Sequence, residues 1–162
     1  MTTLFGFFAL LLGGVAPEPL TAWMEPARLG VEIGMTCTET LAELERRGRT
    51  AVPGKEKGHF LVTLSENRSV TLAFEKDRLQ SMRFELSDFI PVVRVALAEV
   101  ETRLQQRHGD PTRKIERPPA LVYDGVEPRI YVVASVEHQG AFGRQGLGFL
   151  VVRYFAPPAP AS

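Results

Sequence analysis

The side chains that could do chemistry in this sequence are few, and their spacing decides against most of it. Three histidines, His59, His108 and His138, lie far apart. None stands at H-x-H or H-x-x-x-H spacing with another ligand, so no metal site is expected. His108 falls at a predicted helix end, where a cation would cap the last carbonyls. Cys37 is the single cysteine. It falls at the first turn of a predicted helix, where N–H groups and the helix dipole lower a thiol pKa and would begin a Cys–His nucleophile. Cys37 also opens an apolar stripe with Leu41 and Leu44, and this favours a buried, inert thiol. Gly140, Gly143, Gly146 and Gly148 suggest a phosphate cradle. Such a loop leads from a strand into a helix N-terminus, whereas this one joins two predicted strands and carries Arg144 as its cation. The carboxylates are scattered over helix faces and turns, with no pair set apart by apolar surroundings for acid–base work. Arg46, Arg47, Arg49, Lys55 and Lys57 read as a solvated helix end and loop beside Glu45 and Glu56. The chain is read as a non-enzyme without a cofactor.

Composition sets the outer bounds. At 162 residues, 44% hydrophobic and 23% charged, the chain is one domain or two small repeats sharing a core. Its 19 basic and 19 acidic residues cancel, which lacks the basic footprint of a nucleic-acid binder. A single cysteine excludes an internal disulfide framework. Residues 4–16, LFGFFALLLGGVA, are thirteen apolar or Gly positions without a charge. A membrane span needs about 20, and the run matches the apolar core of a secretory signal instead. Residues 1–22 are therefore read as a signal peptide cut after Ala16 or Ala22, leaving a periplasmic or secreted chain with no stable membrane span.

The elements that must position any site follow from periodicity. Residues 17–30 are Pro-rich and irregular, and 23–35 are read as an extended lead-in that carries the single Trp, Trp23. Thr36-Cys37-Thr38-Glu39 fits a capping box, and Cys37, Leu41 and Leu44 line one face of a helix over 37–47, with Gly48 to close it. Phe60, Val62, Leu64, then Val70, Leu72, Phe74, then Met82, Phe84, Leu86 alternate with polar neighbours, which predicts three antiparallel strands with one wet face. A second helix over 89–107 shows the stripe Val93, Leu97, Val100, Leu104 and stops at Gly109-Asp110-Pro111. Strands follow at 121–123, 130–136 and 147–155, and 157–162 is a disordered tail. The expectation is an α+β fold of two tandem helix-strand-strand-strand units, 36–87 and 88–156, forming an antiparallel sheet with both helices on one face.

The stretch Ile33-Gly34-Met35-Thr36-Cys37-Thr38-Glu39-Thr40-Leu41, ending at Leu44 and Gly48, resembles the opening of the SmpA/OmlA outer-membrane-assembly lipoprotein family and the related β-lactamase-inhibitor-protein-like fold. Those domains begin with a G-M-[ST]-x-x-E helix and run into an antiparallel sheet, doubled in tandem in the inhibitor. The resemblance implies an extracytoplasmic α+β module that works by binding protein. This chain has neither a lipobox cysteine nor the inhibitor's paired cysteines.

One feature points to a surface. In the first half the second face of each strand is polar, whereas strands 130–136 and 147–155 are apolar on both faces. A helix covers one of these faces, and the other needs a lid, either the lead-in around Trp23 or a partner. The expected anchors are Tyr131, Tyr154 and Tyr123 with Val133 and Val152, since aromatic side chains dominate interface energetics. Arg153 stands in the Phe149 set of strand 147–155, so its two faces are not assigned from alternation alone. The functional expectation is an exported protein-binding or assembly module. A carrier of a small apolar ligand and a partner-neutralising inhibitor or immunity-type protein are the alternatives.

Overall fold

Helix α2 (Cys37–Arg46) begins where its capping box places it. Thr36 Oγ1 accepts from the Glu39 N–H at 3.2 Å, and a Glu39 carboxylate oxygen accepts from the Thr36 N–H at 2.9 Å. The helix ends in a Schellman motif. Gly48 takes φ +69°, its N–H donates to the Glu45 carbonyl at 2.9 Å, and Arg49 N–H donates to the Leu44 carbonyl at 2.8 Å. The computed structural model describes residues 18–136 and 146–157. The apolar run 4–16, His138, most of the Gly-rich loop and the tail 158–162 lie outside the described residues.

Eight strands follow the lead-in and α2: β1 (Ala51–Pro53), β2 (His59–Ser65), β3 (Arg68–Glu75), β4 (Arg78–Phe89), β5 (Arg113–Glu116), β6 (Pro119–Tyr123), β7 (Arg129–Val136) and β8 (Leu147–Phe155). They form one antiparallel sheet in the order β1-β2-β3-β4-β8-β7-β6-β5. The expected pair of tandem helix-strand-strand-strand units with both helices on one face is thereby overturned: the architecture is a single eight-stranded sheet with three helices, the described residues being 43% strand against 28% helix. The missed strands are the two outermost, β1 and β5. Both are short and largely exposed, one ends in Pro53, and neither carries an apolar alternation, as suits edge strands.

Pairing register assigns the two faces. Val62, Val70, Phe84, Val152, Val132 and Leu121 stand opposite one another in series across β2, β3, β4, β8, β7 and β6. All six are buried, so this row runs through the core. Helix α3 (Ile90–His108) packs on β4, β7 and β8 through Val93, Ala96, Val100 and Leu104. Leu97, expected in that stripe, is half-buried beside it. The smaller Ala96 faces the sheet, and Gly148 lies beneath the helix start, where an added Cβ would come within 3.4 Å of Val93. Small residues on both partners bring the helix close to the sheet.

The lead-in is not extended. It forms a 3-10 turn (Ala22–Met24) and the short helix α1 (Pro26–Leu29), and it buries Met24, Leu29 and Val31. Polar bonds clip it to α3. A Glu99 carboxylate oxygen accepts from Thr21 N–H at 3.1 Å and Thr21 Oγ1 at 3.2 Å, while Arg103 donates to the Thr21 carbonyl at 3.1 Å and pairs with Glu25 at 3.0 Å. Trp23 packs on Phe84 with ring centroids 6.1 Å apart. The lead-in therefore closes the core face and leaves the opposite face of β7 and β8 alone.

Candidate functional site

Strict alternation sends every second side chain of β4 to β8 to the face away from α3. The rows there follow from register. Glu85, Val151, Val133, Ala120 and Ile115 form one. Thr71, Arg83, Arg153, Tyr131, Val122 and Arg113 form the next. Phe149 lies beyond the first row and Phe155 beyond the second. Tyr131, Val133, Phe149, Val151 and Phe155 are half-buried. Ile115 at 42%, Leu147 at 41% and Phe89 at 50% are openly exposed on the same side. A half-wet apolar surface thus runs from Phe89 of β4 over β8 and β7, with Ile115 of β5 exposed beyond the buried Ala120 and Val122 of β6.

The expected anchor set divides between the two faces. Tyr131 and Val133 lie on the outer face. Tyr123, Tyr154 and Val152 share the parity of Phe84 and are buried in the core, so they anchor no partner. Tyr154 stands edge-on to Phe84 at 5.7 Å and its hydroxyl donates to the Met24 carbonyl at 3.0 Å. Burial pushes its phenol up to about 12. Tyr123 lies against the His108 ring at 6.1 Å. The signal that settles the parity of β8 is Arg153. It is exposed, and it carries Phe149 and Val151 outward with it.

Two arginines interrupt the apolar surface. Arg83 and Arg153 are direct cross-strand partners. Arg83 bonds the Glu85 carboxylate at 2.9 Å, while Arg153 lies over the Phe155 ring at 4.4 Å and reaches Ser81 Oγ at 3.4 Å. Burial first and then the Arg83 charge lower the Arg153 pKa. Beside the pair opens a cavity of about 430 Å³ lined by both arginines together with Lys55, Glu56, His59 and Thr71. On the core side a second cleft of about 520 Å³, floored by Met82, Ile130 and Tyr154, runs between the lead-in and the end of α3.

The other chemical candidates are placed plainly. Cys37 is half-buried, and burial first, then the Asp77 charge, raise its thiol pKa, which is the reverse of an activated nucleophile. His59 lies 3.5 Å from the Glu56 carboxylate. No group of three His, Cys, Asp or Glu among the described residues could hold a metal. No helix among the described residues is long and apolar enough to cross a membrane.

His108 does not serve as the expected capping cation. Burial, and secondarily the Arg107 charge, lower its pKa from the ordinary 6.5. The unfolded chain therefore takes up the proton first, and stability is lost as pH falls from the ordinary value through the folded one. Melting between pH 7 and about 5.5 should show a drop that His108→Gln reduces. An identical drop in the variant would assign the pH dependence elsewhere.

The class defined by this architecture is a sheet-dominated α+β domain, sealed on one face by helices and lead-in and open on the other. Comparison of the chain with family models, curated proteins and solved structures finds no match.

Proposed function

We propose that the protein is an exported, non-enzymatic binding module that docks a partner protein on the outer face of β4 to β8, around Tyr131 and Val133. One observation carries this reading. The apolar surface running from Ile115 through Val133 and Val151 to Phe149 faces away from the layer formed by α3 and the lead-in. Contiguous apolar surface with aromatic and arginine side chains is what interfaces present. The apolar run 4–16 supports export, and the resemblance of residues 33–48 to the SmpA/OmlA opening supports an extracytoplasmic role. Processing after Ala16 would keep Thr21 and its bonds to Glu99 and Arg103, whereas processing after Ala22 would remove them. Inhibition or neutralisation of the partner is one use of such docking.

Replacing Tyr131→Ala and Val133→Ser together should weaken capture of the native-host partner by about tenfold or more. Both positions are half-buried on an interior strand, so the melting temperature should fall by only several degrees and the variant should remain folded at the temperature of the capture assay. Undiminished capture, confirmed with the purified partner, would overturn the docking face. A second reading, carriage of a small apolar ligand, draws on the core-side cleft beneath α1. Native mass spectrometry separates the two, since a carrier purifies with an added small mass.

A further inference from the structure

We infer that the docking face takes an acidic protein surface, with a partner carboxylate seated between the guanidinium groups of Arg83 and Arg153. The inference rests on the docking reading above and names the chemistry of its partner.

Like charges directly opposite on neighbouring strands destabilise a sheet, yet the register makes Arg83 and Arg153 such a pair. Glu85 relieves only the first of them, at 2.9 Å. Arg153 has no carboxylate partner among the described residues; its neighbours are Ser81 Oγ and the Phe155 ring. Arg129 flanks the same ring at 5.8 Å and spends a guanidinium N–H on the Ala156 carbonyl at 3.4 Å, leaving its buried Nε without a partner. Arg83, Arg113, Arg129 and Arg153, with Lys55 at the cavity rim, thus stand on the outer face against Glu56, Glu85 and Asp124. This surplus is local, because the chain as a whole balances 19 against 19. An incoming carboxylate would bond both forks and remove the repulsion between them, a gain realised only on binding.

The surroundings select a protein. Arg153 lies over Phe155 and is the cross-strand partner of Tyr131, with the pair Val133–Val151 in the next row, so a carboxylate arriving there brings its neighbours against an apolar surface. Nucleic acid would ask for a broader basic stripe with several stacking rings. The cavity of about 430 Å³ beside the pair has room for an acidic side chain.

The test is selection of a displayed random-peptide library on the immobilised folded protein, followed by titration of the enriched peptides. Enriched peptides should carry Asp or Glu among apolar residues. They should bind Arg83→Gln/Arg153→Gln about tenfold or more weakly, and should lose affinity between about 50 and 300 mM salt. The double variant relieves a repulsion, so its melting temperature should hold or rise, which separates lost binding from lost fold. Peptides without acidic residues, or acidic peptides that bind the double variant equally well, would overturn the inference. Loss of binding in Tyr131→Ala would then keep the docking face, and insensitivity to both changes would remove that face as well. Stronger binding to phosphatidylserine vesicles or to single-stranded DNA than to any peptide would also overturn it.

Discussion

Val100→Asp is expected to lower the free energy of unfolding by about 3–5 kcal/mol, the scale of an unpaired buried charge. Val100 is fully buried on the sheet-facing side of α3, one turn from Ala96 and one from Leu104. A carboxylate there has no water to solvate it, and the charged residues nearest to it along α3, Glu99, Glu101 and Arg103, are engaged with Thr21, Lys114 and Glu25. Since the whole stability of a domain is about 5–15 kcal/mol, such a loss removes much of it. Leu97→Asp serves as the comparison. Its half-buried position lets the carboxylate reach solvent, so the cost should be about 1–2 kcal/mol. Chemical denaturation reads both, and equal midpoints for wild type and Val100→Asp would show that α3 is not docked on the sheet.

Phe84→Ala is the second large effect, expected at about 3–5 kcal/mol from lost burial and the residual cavity. Phe84 sits on the central strand β4, with Tyr154 edge-on at 5.7 Å and Trp23 tilted against it at 6.1 Å. It therefore joins the lead-in to the sheet. The emission of Trp23 should shift to the red in this variant before global unfolding, because the ring loses the partner beneath it. An unchanged spectrum with an unchanged denaturation midpoint would place Trp23 elsewhere than over β4.

What was legible in the chain is the part encoded by near neighbours. The capping box at Thr36 and Glu39, the Gly48 stop and the alternation over 60–86 all rest on contacts a few residues apart. The lead-in carries no period of its own. Its turn is held by Glu99 and Arg103, which lie 78 and 82 residues from Thr21, and no local pattern announces such bonds. β1 and β5 were missed because an edge strand made from Ala51-Val52-Pro53 or Arg113-Lys114-Ile115-Glu116 needs only backbone pairing with its neighbour. The site divides the same way. The doubly apolar character of β7 and β8 is visible in composition, whereas the parity of β8 follows from the register that buries Val152 and Tyr154 and exposes Arg153. The meeting of Arg83 with Arg153 depends on the β4–β8 register, which joins residues from the two halves of the chain.

That register also shapes how the molecule assembles. Every neighbouring pair in the sheet except β4–β8 joins strands consecutive in the chain. The pairings within each meander therefore join strands near in sequence and close at smaller entropic cost than the seam between them. The seam between them closes only after α3 has crossed over, which makes it the strand pairing of highest sequence separation and the one that costs most loop-closure entropy. Until then β4 and β8 both present open edges.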